Sequence, residues 1–440
     1  KSASDNDLLI AKDRATEEKL LREFQSLAQA DPITTLDLNE PDPFELQEYP
    51  THSIWPRVRE GFEIDTHLDH PWVQSELDWY SRHPEYLFRT MTRAEPFLHY
   101  ILEEAEKRDL PTELVLLPIV ESAYQPFAYS HGRAAGIWQF IPSTGRLYGL
   151  EQTWWYDGRR DIYASTQAAL SYLQNLNKLF DGDWTLALAA YNSGSGTVQR
   201  AIRKNKKKGK PTDFWHLKLP KETRAYVPKL MALKELIENS ELYDISLRCI
   251  PDAPGFIPVD TESQIDLALA AELAELDVDT LYEYNPAFNR WATSPDGPHR
   301  LLLPYDNAEI FKANLAKIPD DQRVQWKRHK IENGETLSHI AVEYNTTVKE
   351  LRKINSISGN NIRAGQHLLI PVASRGQSTY TLSSSQRLKA IQSNGKKNKT
   401  RVNHYVQSGE SFWTISRKYN VNMHSLAKWN GMAIRDPLGQ

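Results

Sequence analysis

The sequence predicts a mainly α-helical domain followed by small α+β modules, in each of which two strands flank two helices. Three observations predict this fold class. Apolar residues recur at helical spacing from about His52 to Asn239, shorter apolar runs with prolines follow, and one pattern occurs twice in the C-terminal third. At 440 residues the chain is long enough for roughly two to four folded units.

The N-terminal residues 1–50 are predicted to form a helix and a linker. Residues 1–30 place several leucines and Phe24 on one apolar helical face. The acidic stretch that follows contains Pro41 and Pro43, which favour an extended chain over a helix. We therefore expect the helical domain to occupy residues 51–250.

The repeated pattern places two modules at residues 328–373 and 403–440. The copies begin with His329 and His404, and each then has a turn of glycine, glutamate and a hydroxyl residue. Each copy is predicted to fold as strand, helix, helix and strand. The second copy ends before an equivalent closing strand, so we expect a truncated module there.

Two further segments surround the first full copy. A weaker copy at residues 251–310 keeps the order of apolar runs without the glycine-glutamate turn, and it is predicted to be a degenerate module. Residues 374–402 are rich in serine, threonine, lysine and asparagine, with few large apolar residues to bury. That composition predicts a flexible linker between the two full copies.

Composition excludes several classes of function. The net charge is -4, so the chain lacks the basic surface of a nucleic-acid-binding protein. The single cysteine, Cys249, excludes an internal disulfide framework and a cysteine-rich zinc site. The histidines show no ligand spacing, so we expect neither a metal nor another cofactor. No apolar stretch reaches the length of a transmembrane helix.

Glu121 is the leading candidate for a catalytic residue. It follows an apolar segment, residues 114–120, that is typical of a buried helix. Burial disfavours the charged form of a carboxyl group, so its pKa is expected to rise toward neutrality, as a general acid requires. A buried glutamate in a structural ion pair is the alternative, and burial alone does not separate the two.

Three other segments carry polar groups that could surround a ligand. The glycine turn at residues 136–139 can bring backbone and the Gln139 amide close to a ligand. Residues 190–194 form a polar, glycine-broken helix end. Tyr226 lies on the apolar stripe of a helix, so its ring is expected to be buried with its hydroxyl near a partner. A tyrosine of the core would give the same pattern.

In this order and spacing the segments resemble the lytic transglycosylase family, whose catalytic domain has a goose-type-lysozyme-like fold. The glutamate-serine motif of the family matches Glu121 and Ser122. Its glycine-leucine-methionine-glutamine motif matches residues 136–139, and its alanine-tyrosine-asparagine-x-glycine motif matches residues 190–194. A later family tyrosine matches Tyr226. The resemblance covers about residues 93–240.

The sequence departs from the family at Trp138, where methionine is usual. Glu113, Asp157 and Asp161 lie outside the motif set and are predicted to be structural carboxylates. The substrate-binding residues that the resemblance implies are Ser122, Gly136, Trp138, Gln139, Tyr191, Asn192 and Tyr226.

The resemblance implies a reaction on bacterial peptidoglycan in which Glu121 acts alone. Glu121 would protonate the bond between N-acetylmuramic acid and N-acetylglucosamine, and the N-acetyl oxygen of the substrate would stabilise the developing cation. The same glutamate would then take the proton of the muramyl 6-hydroxyl, which gives a 1,6-anhydro sugar. Ser122 would hydrogen-bond the carboxyl group, Tyr226 would orient it, and Gln139 and Asn192 would hold the sugar substituents.

The repeated modules resemble LysM domains, which bind polymers that contain N-acetylglucosamine. Each module is expected to bind weakly, and several modules on one chain raise the effective concentration on a polymer. The basic run at residues 203–210 is interpreted as a solvated loop. Contact with an anionic wall polymer or lipid surface is the less favoured alternative. The groove residues that the LysM resemblance implies are Gly334, Glu335, Thr336, Leu337, Ile362 and Arg363. Packing in the core is the alternative role for several of them, especially Leu337 and Ile362.

Three functions remain open from the residues. A lytic transglycosylase is favoured, a lysozyme-type hydrolase would require a second acid or a held water, and a catalytically silent wall-binding protein is the third. The implied partner is the glycan strand of peptidoglycan, which places the protein in the periplasm. The family resemblance also implies membrane association through a lipid anchor that is absent from this sequence.

Overall fold

The computed structural model describes residues 53–393 and 402–438. The helix and linker predicted at residues 1–50 lie outside this range, as do residues 394–401 of the predicted flexible linker. The contacts within the chain define two units, of which the larger contains Pro50–Arg387 with Ala433–Asp436, and the smaller contains Leu388–Met432. Within the described ranges, no helix is both long enough and apolar enough to span a lipid bilayer.

The larger unit begins with a helical domain whose helices extend from Trp55 to Glu238. A 3-10 helix, Thr112–Leu116, leads directly into the short helix α4. The helices of this domain are α1 (Trp55–Glu60), α2 (Pro71–Ser81), α3 (Pro84–Glu106), α4 (Leu117–Ser122), α5 (Pro142–Leu147), α6 (Ile162–Leu179), α7 (Trp184–Ser193), α8 (Ser195–Lys206) and α9 (Lys221–Glu238).

Local sequence signals explain where these helices start. Asp161 caps α6 by accepting a hydrogen bond from the Ala164 N–H at 2.8 Å, and Asp183 caps α7 by accepting one from the Leu186 N–H at 3.0 Å. Such caps satisfy amide groups that have no partner within the helix. Proline at the first helical position begins α2 and α3, where the missing N–H costs nothing.

One continuous apolar core holds the helical domain together, and α9 runs through it. The apolar stripe of α9 places Tyr226, Leu230, Leu233 and Ile237 in this core, each less than 5% exposed. Burying such a side chain contributes about 1.5–3 kcal/mol relative to leaving it in water. The helix α9 packs against α2, α7 and α4, so it lies beside the segment that ends in Glu121.

A small α+β module follows at the position of the predicted degenerate copy. Its strands β1 (Phe256–Asp260) and β2 (Arg300–Pro304) pair antiparallel, with Val259 opposite Leu301. Between them lie α10 (Leu267–Leu273) and α11 (Val278–Tyr284), and α12 (Tyr305–Leu315) comes after β2. Most apolar residues of this module form a second core that also includes Trp155 and Tyr156, while Phe256 and Leu302 pack into the core of the helical domain.

The first full copy has the predicted order of strand, helix, helix and strand. The elements are β3 (Gln325–Lys330), α13 (Leu337–Glu343), α14 (Val348–Ile354) and β4 (His367–Val372), and the two strands pair antiparallel. Asn355 exchanges hydrogen bonds with the backbone of Leu369, at 2.9 and 2.7 Å. The degenerate copy repeats this device, since Asn285 exchanges bonds with the backbone of Leu302 at 2.7 and 2.8 Å.

The second full copy, described over residues 402–438, contains α16 (Phe412–Lys418) and α17 (Met423–Trp429) and no strand in that range. His404 contacts Glu410 at 2.8 Å through Nε2 and the Tyr419 hydroxyl at 3.0 Å through Nδ1. The first copy has the same network of His329, Glu335 and Tyr344. The shared network supports the alignment of the two copies.

Residues 374–393 differ from the flexible linker predicted from composition. The Ser374 N–H and the Tyr380 hydroxyl both donate to Asp266, and Tyr380 and Leu382 are buried in the core of the degenerate module. The helix α15 (Ser384–Ser393) follows. Two large apolar residues are enough to attach a segment whose average composition is polar, because burial depends on individual side chains.

Candidate active site

The carboxyl group of Glu121 lies at the end of α4 against the apolar core. The preceding residues, Leu114 to Leu117, are at most 1% exposed. Desolvation by these surroundings, together with a smaller effect of the nearby Glu222 carboxylate, raises the pKa of Glu121 to about 8. The side chain therefore carries its proton at neutral pH.

Tyr226 holds the Glu121 carboxyl group in place. Its hydroxyl donates to Glu121 Oε1 at 2.6 Å, although the two residues are far apart in sequence. This bond favours the charged carboxylate and opposes part of the effect of burial. Burial and the neighbouring carboxyl group in turn hold the pKa of Tyr226 well above its usual value, so Tyr226 remains a donor.

Ser122 has a different partner from the one predicted. Its hydroxyl is shared between the Pro118 carbonyl at 3.2 Å and the Ile137 carbonyl at 3.0 Å, and it makes no described bond to the Glu121 carboxyl group. Ser122 is buried on the inner side of the helix end, which directs its hydroxyl toward backbone acceptors. It therefore ties α4 to the turn at residues 136–139.

The turn at residues 136–139 requires its glycine. Gly136 has a φ of 79°, and a Cβ atom there would lie 2.0 Å from the Arg159 carbonyl oxygen. Gln139 also adopts a positive φ of 49°, and its Nε2 donates to the Gly136 carbonyl at 2.7 Å. The Gln139 side chain is partly exposed, so its amide can reach a ligand.

Trp138 contributes to the core and not to a substrate-binding surface, in contrast to the prediction. The ring is completely buried, and its Nε1 donates to the Thr166 hydroxyl at 3.0 Å. A group without solvent exposure cannot contact a polymer in the cleft. The tryptophan fills the core at the position where the family has methionine, and its indole N–H has the partner that a buried donor needs.

Tyr191 and Asn192 lie at the end of α7, which stops at Gly194 with a φ of 83°. The Tyr191 hydroxyl donates to the Trp138 carbonyl at 2.9 Å, and burial together with the Glu121 charge raises its pKa well above the usual value. Asn192 Oδ1 accepts a hydrogen bond from the Thr223 hydroxyl at 2.8 Å. The segments that the motifs identify therefore lie around Glu121.

Sequence reasoning missed Glu222 as part of this site. Its Oε1 accepts from Asn192 Nδ2 at 3.4 Å, and its charge acts on Glu121. Glu222 stands four residues before Tyr226 on α9, and residues with this spacing share a helix face. That spacing was the available signal, because a helix that places Tyr226 in the site also brings Glu222 toward it.

The residues predicted to line the LysM groove differ in exposure. Gly334 has a φ of 90° and open space around it, while Thr336 caps α13 by accepting a hydrogen bond from the His339 N–H at 3.2 Å. Glu335 Oε2 contacts His329 and accepts from the Glu332 N–H at 2.7 Å. Two predicted groove residues, Ile362 and Arg363, are partly buried and exposed, respectively.

Leu337 is the exception in this set. It is 3% exposed and belongs to the apolar core of its module, so its role is packing and not contact with a glycan. An apolar residue at the first position of a helix can face either the solvent or the core. The tertiary packing of α13 decides that this one faces inward.

Comparison with known proteins assigns families to these parts of the chain. Residues 99–214 match the Transglycosylase SLT domain, and residues 255–320 match the LysM-like domain of lytic transglycosylase MltD. Residues 329–371 and 404–438 match the LysM domain. Tyr226 lies outside the first match, so the fold brings it to the site from a later helix.

Known relatives extend the similarity beyond single domains. The chain is 38% identical over 368 residues to the membrane-bound lytic murein transglycosylase D of Escherichia coli (strain K12), which covers 81% of this chain and 78% of that protein. It is 49% identical over 122 residues to a putative tributyltin chloride resistance protein of Alteromonas sp. (strain M-1), which covers 28% of this chain and 59% of that protein.

Proposed function

Because the chain belongs to the family of membrane-bound lytic murein transglycosylase D, we propose that Glu121 is its single catalytic acid and base. The chain is a peptidoglycan lytic transglycosylase with LysM modules. The comparisons thus confirm the family and the enzyme class that the motifs predict. One observation carries the assignment of the residue. Glu121 is a desolvated carboxyl group with a pKa of about 8 that is held by a 2.6 Å hydrogen bond from Tyr226.

The first step of the proposed mechanism is protonation of the glycosidic oxygen between N-acetylmuramic acid and N-acetylglucosamine. With a pKa of about 8, about nine-tenths of the Glu121 side chains carry a proton at pH 7. Tyr226 donates to Oε1, so the proton resides on Oε2, the oxygen left free for the substrate. Transfer of that proton allows the bond from the anomeric carbon to the leaving oxygen to break.

The second step closes the anhydro ring. The Glu121 carboxylate accepts the proton of the muramyl 6-hydroxyl while that oxygen forms a bond to the anomeric carbon. One C–O bond breaks and one forms, no water is consumed, and Glu121 regains its proton. The substrate N-acetyl oxygen stabilises the cationic transition state, which takes the place of the second carboxylate of most glycosidases.

The remaining polar groups position the sugar. The Asn192 amide is fixed by Thr223 and Glu222, so its orientation is set before the substrate arrives. The Gln139 amide is likewise fixed by its bond to Gly136. We assign both amides to the N-acetyl and ring substituents, because a preorganised donor needs no reorganisation during the reaction. Ser122 acts indirectly, by joining α4 to the turn that carries Gln139.

The modules and the substrate lead to a cellular location. We assign the LysM copies to N-acetylglucosamine-containing polymer, where several weak sites on one chain increase the time spent on the wall. Because the proposed substrate is peptidoglycan, we assign the enzyme to the periplasm. By similarity to a membrane-bound relative, we assign it to the cell envelope as an outer-membrane lipoprotein.

The products of digestion test the assignment of Glu121. Purified enzyme acting on isolated sacculi should release fragments with 1,6-anhydro ends, which mass spectrometry identifies because they are lighter than reducing ends by one water. Glu121→Gln should release none while it still binds the sacculi. Fragments from Glu121→Gln would overturn the assignment of this residue, and reducing ends from the parent would support hydrolysis.

A further inference from the structure

The segment Trp154–Asp161, called here the bridging segment, joins the helical domain to the module of residues 255–320. Its backbone pairs with the module, since the Asp157 N–H donates to the Ala287 carbonyl at 2.8 Å. The Asn289 N–H donates back to the Trp155 carbonyl, also at 2.8 Å. These two bonds form a short antiparallel pairing between parts of the chain that are distant in sequence.

Two arginines of the module reinforce this pairing. The Arg290 guanidinium lies 4.3 Å from the centre of the Trp154 ring, and its Nε donates to the Trp154 carbonyl at 3.1 Å. Arg300 Nη2 donates to Asp161 Oδ2 at 2.7 Å. Asp161 is also the residue that caps α6. The module thus contacts the bridging segment at both ends of that segment, Trp154 and Asp161.

The other side of the bridging segment supports the turn at residues 136–139. Arg159 is 4% exposed and makes a two-point ion pair with Asp157, at 2.9 and 2.8 Å. Its Nη1 donates to the Arg133 carbonyl at 2.6 Å and to the Phe140 carbonyl at 3.3 Å, which lie on either side of the turn. The Arg159 carbonyl packs directly against Gly136.

Gln139 needs such support because it holds a left-handed backbone conformation that non-glycine residues rarely adopt. Conformations of this kind persist only where the surrounding structure over-determines them. Arg159 supplies contacts on both sides of the turn, and the module supplies contacts to the segment that carries Arg159. The contacts therefore run without a gap from the module to the residue that we assign to the sugar substituents.

We propose that the module of residues 255–320 is a positioning element of the active site, and that Arg290 and Arg300 hold the Gln139 turn through the bridging segment. The inference rests on the proposed role of Gln139 in binding the sugar. The module of residues 255–320 lacks the glycine-glutamate turn of the other copies. The proposed role agrees with this, because none of the contacts described between the module and the bridging segment involves that turn. Arg159 and Asp157 are positioning residues in this arrangement.

Steady-state kinetics on soluble, peptide-free glycan strands test the proposal with the full chain. The double variant Arg290→Gln/Arg300→Gln removes the two arginine contacts with the bridging segment and leaves the backbone pairing in place. We expect KM to rise about tenfold with a smaller change in kcat, since a binding amide loses its fixed position. The pH profile of kcat should not move, because Glu121 and Tyr226 are untouched.

The matched control is Lys312→Gln/Arg375→Gln, which removes the same charge from two ion pairs that include residues of the module. Lys312 pairs with Glu309 at 2.6 Å and Arg375 with Glu272 at 3.1 Å, and none of these residues contacts the bridging segment in any bond described. This control should keep the parental KM. A second variant, Arg159→Lys, leaves the module intact and should raise KM as the first does.

Three outcomes would overturn the proposal. The first is a KM in the module variant equal to that of its control. The second is a lower kcat at unchanged KM, in proportion to the folded fraction seen by thermal unfolding, which would mean that the module only stabilises the fold. The third is an unchanged KM for Arg159→Lys beside a raised KM for the module variant, which would mean that the module does not act through Arg159. A wrong assignment of Glu121 would be recognised separately, because the Glu121→Gln variant would then be active.

Discussion

The hydrogen bond from Tyr226 to Glu121 gives the sharpest test of the catalytic assignment. In Tyr226→Phe the ring remains, while the 2.6 Å bond to Oε1 is lost. That bond favours the charged carboxylate, so its loss raises the pKa of Glu121 beyond about 8. A hydrogen bond to a charged group is worth about 1.5–3 kcal/mol, and 1.36 kcal/mol corresponds to one pKa unit. The expected rise is therefore about one to two units.

The sign of the effect on activity follows from the role of Glu121 as the initial acid. The parent needs protonated Glu121, so its kcat/KM should fall as the pH rises through about 8. In Tyr226→Phe this fall should move to higher pH by about one to two units. The maximal rate should also drop, by about tenfold for each 1.4 kcal/mol of lost orientation in the transition state.

The assay is the initial rate of anhydro-product release from soluble glycan strands over a series of pH values. Tyr243→Phe is the matched control, because its hydroxyl also donates to a glutamate, Glu235, at 3.0 Å but outside the site. That variant should keep the parental profile. A basic limb of the Tyr226→Phe profile that stays in place or moves to lower pH would refute the assignment of the carboxyl group.

Three further predictions concern the same site. Glu222→Gln removes a charge that raises the pKa of Glu121, so the basic limb of the pH profile should move to lower pH, and anhydro products should still form. Loss of all products would instead favour a hydrolase that uses two carboxylates. Glu121 has a folded-state pKa above its unfolded value of 4.5, so the folded state holds the extra proton, and stability should fall as pH rises from 4.5 to about 8. Glu121→Gln should therefore have a higher Tm than the parent at pH above 8 and an equal one near 4.5, and equal Tm values throughout would contradict the buried carboxyl group. Gly136→Ala places a Cβ 2.0 Å from the Arg159 carbonyl oxygen, so the free energy of unfolding should fall by several kcal/mol, of which about 1–3 kcal/mol comes from the backbone conformation alone. Gly182→Ala, at a φ of 90° with open space around it, should lose only that backbone part. Chemical denaturation measures both values.

Local patterns in the sequence were sufficient for the fold class and for the family. Helical periodicity predicts helices regardless of what they pack against, and the spacing of the two module copies defines their order along the chain. The apolar run before Glu121 predicts its burial, and the stripe on α9 predicts a buried Tyr226 that needs a partner. Each of these patterns involves residues close together in sequence, and the family follows from the order and spacing of several such segments along the chain.

The tertiary structure decided which of these groups meet and which way each side chain faces. Only the family resemblance connects Tyr226 with Glu121, and the sequence contains no local signal that Ser122 faces Ile137 or that Trp138 is a core residue. Side-chain direction depends on packing between elements, and a pair of residues distant in sequence is defined only by the folded chain. The role of the bridging segment belongs to the same class, because Arg159 acquires its function from carbonyl groups that only folding brings within reach.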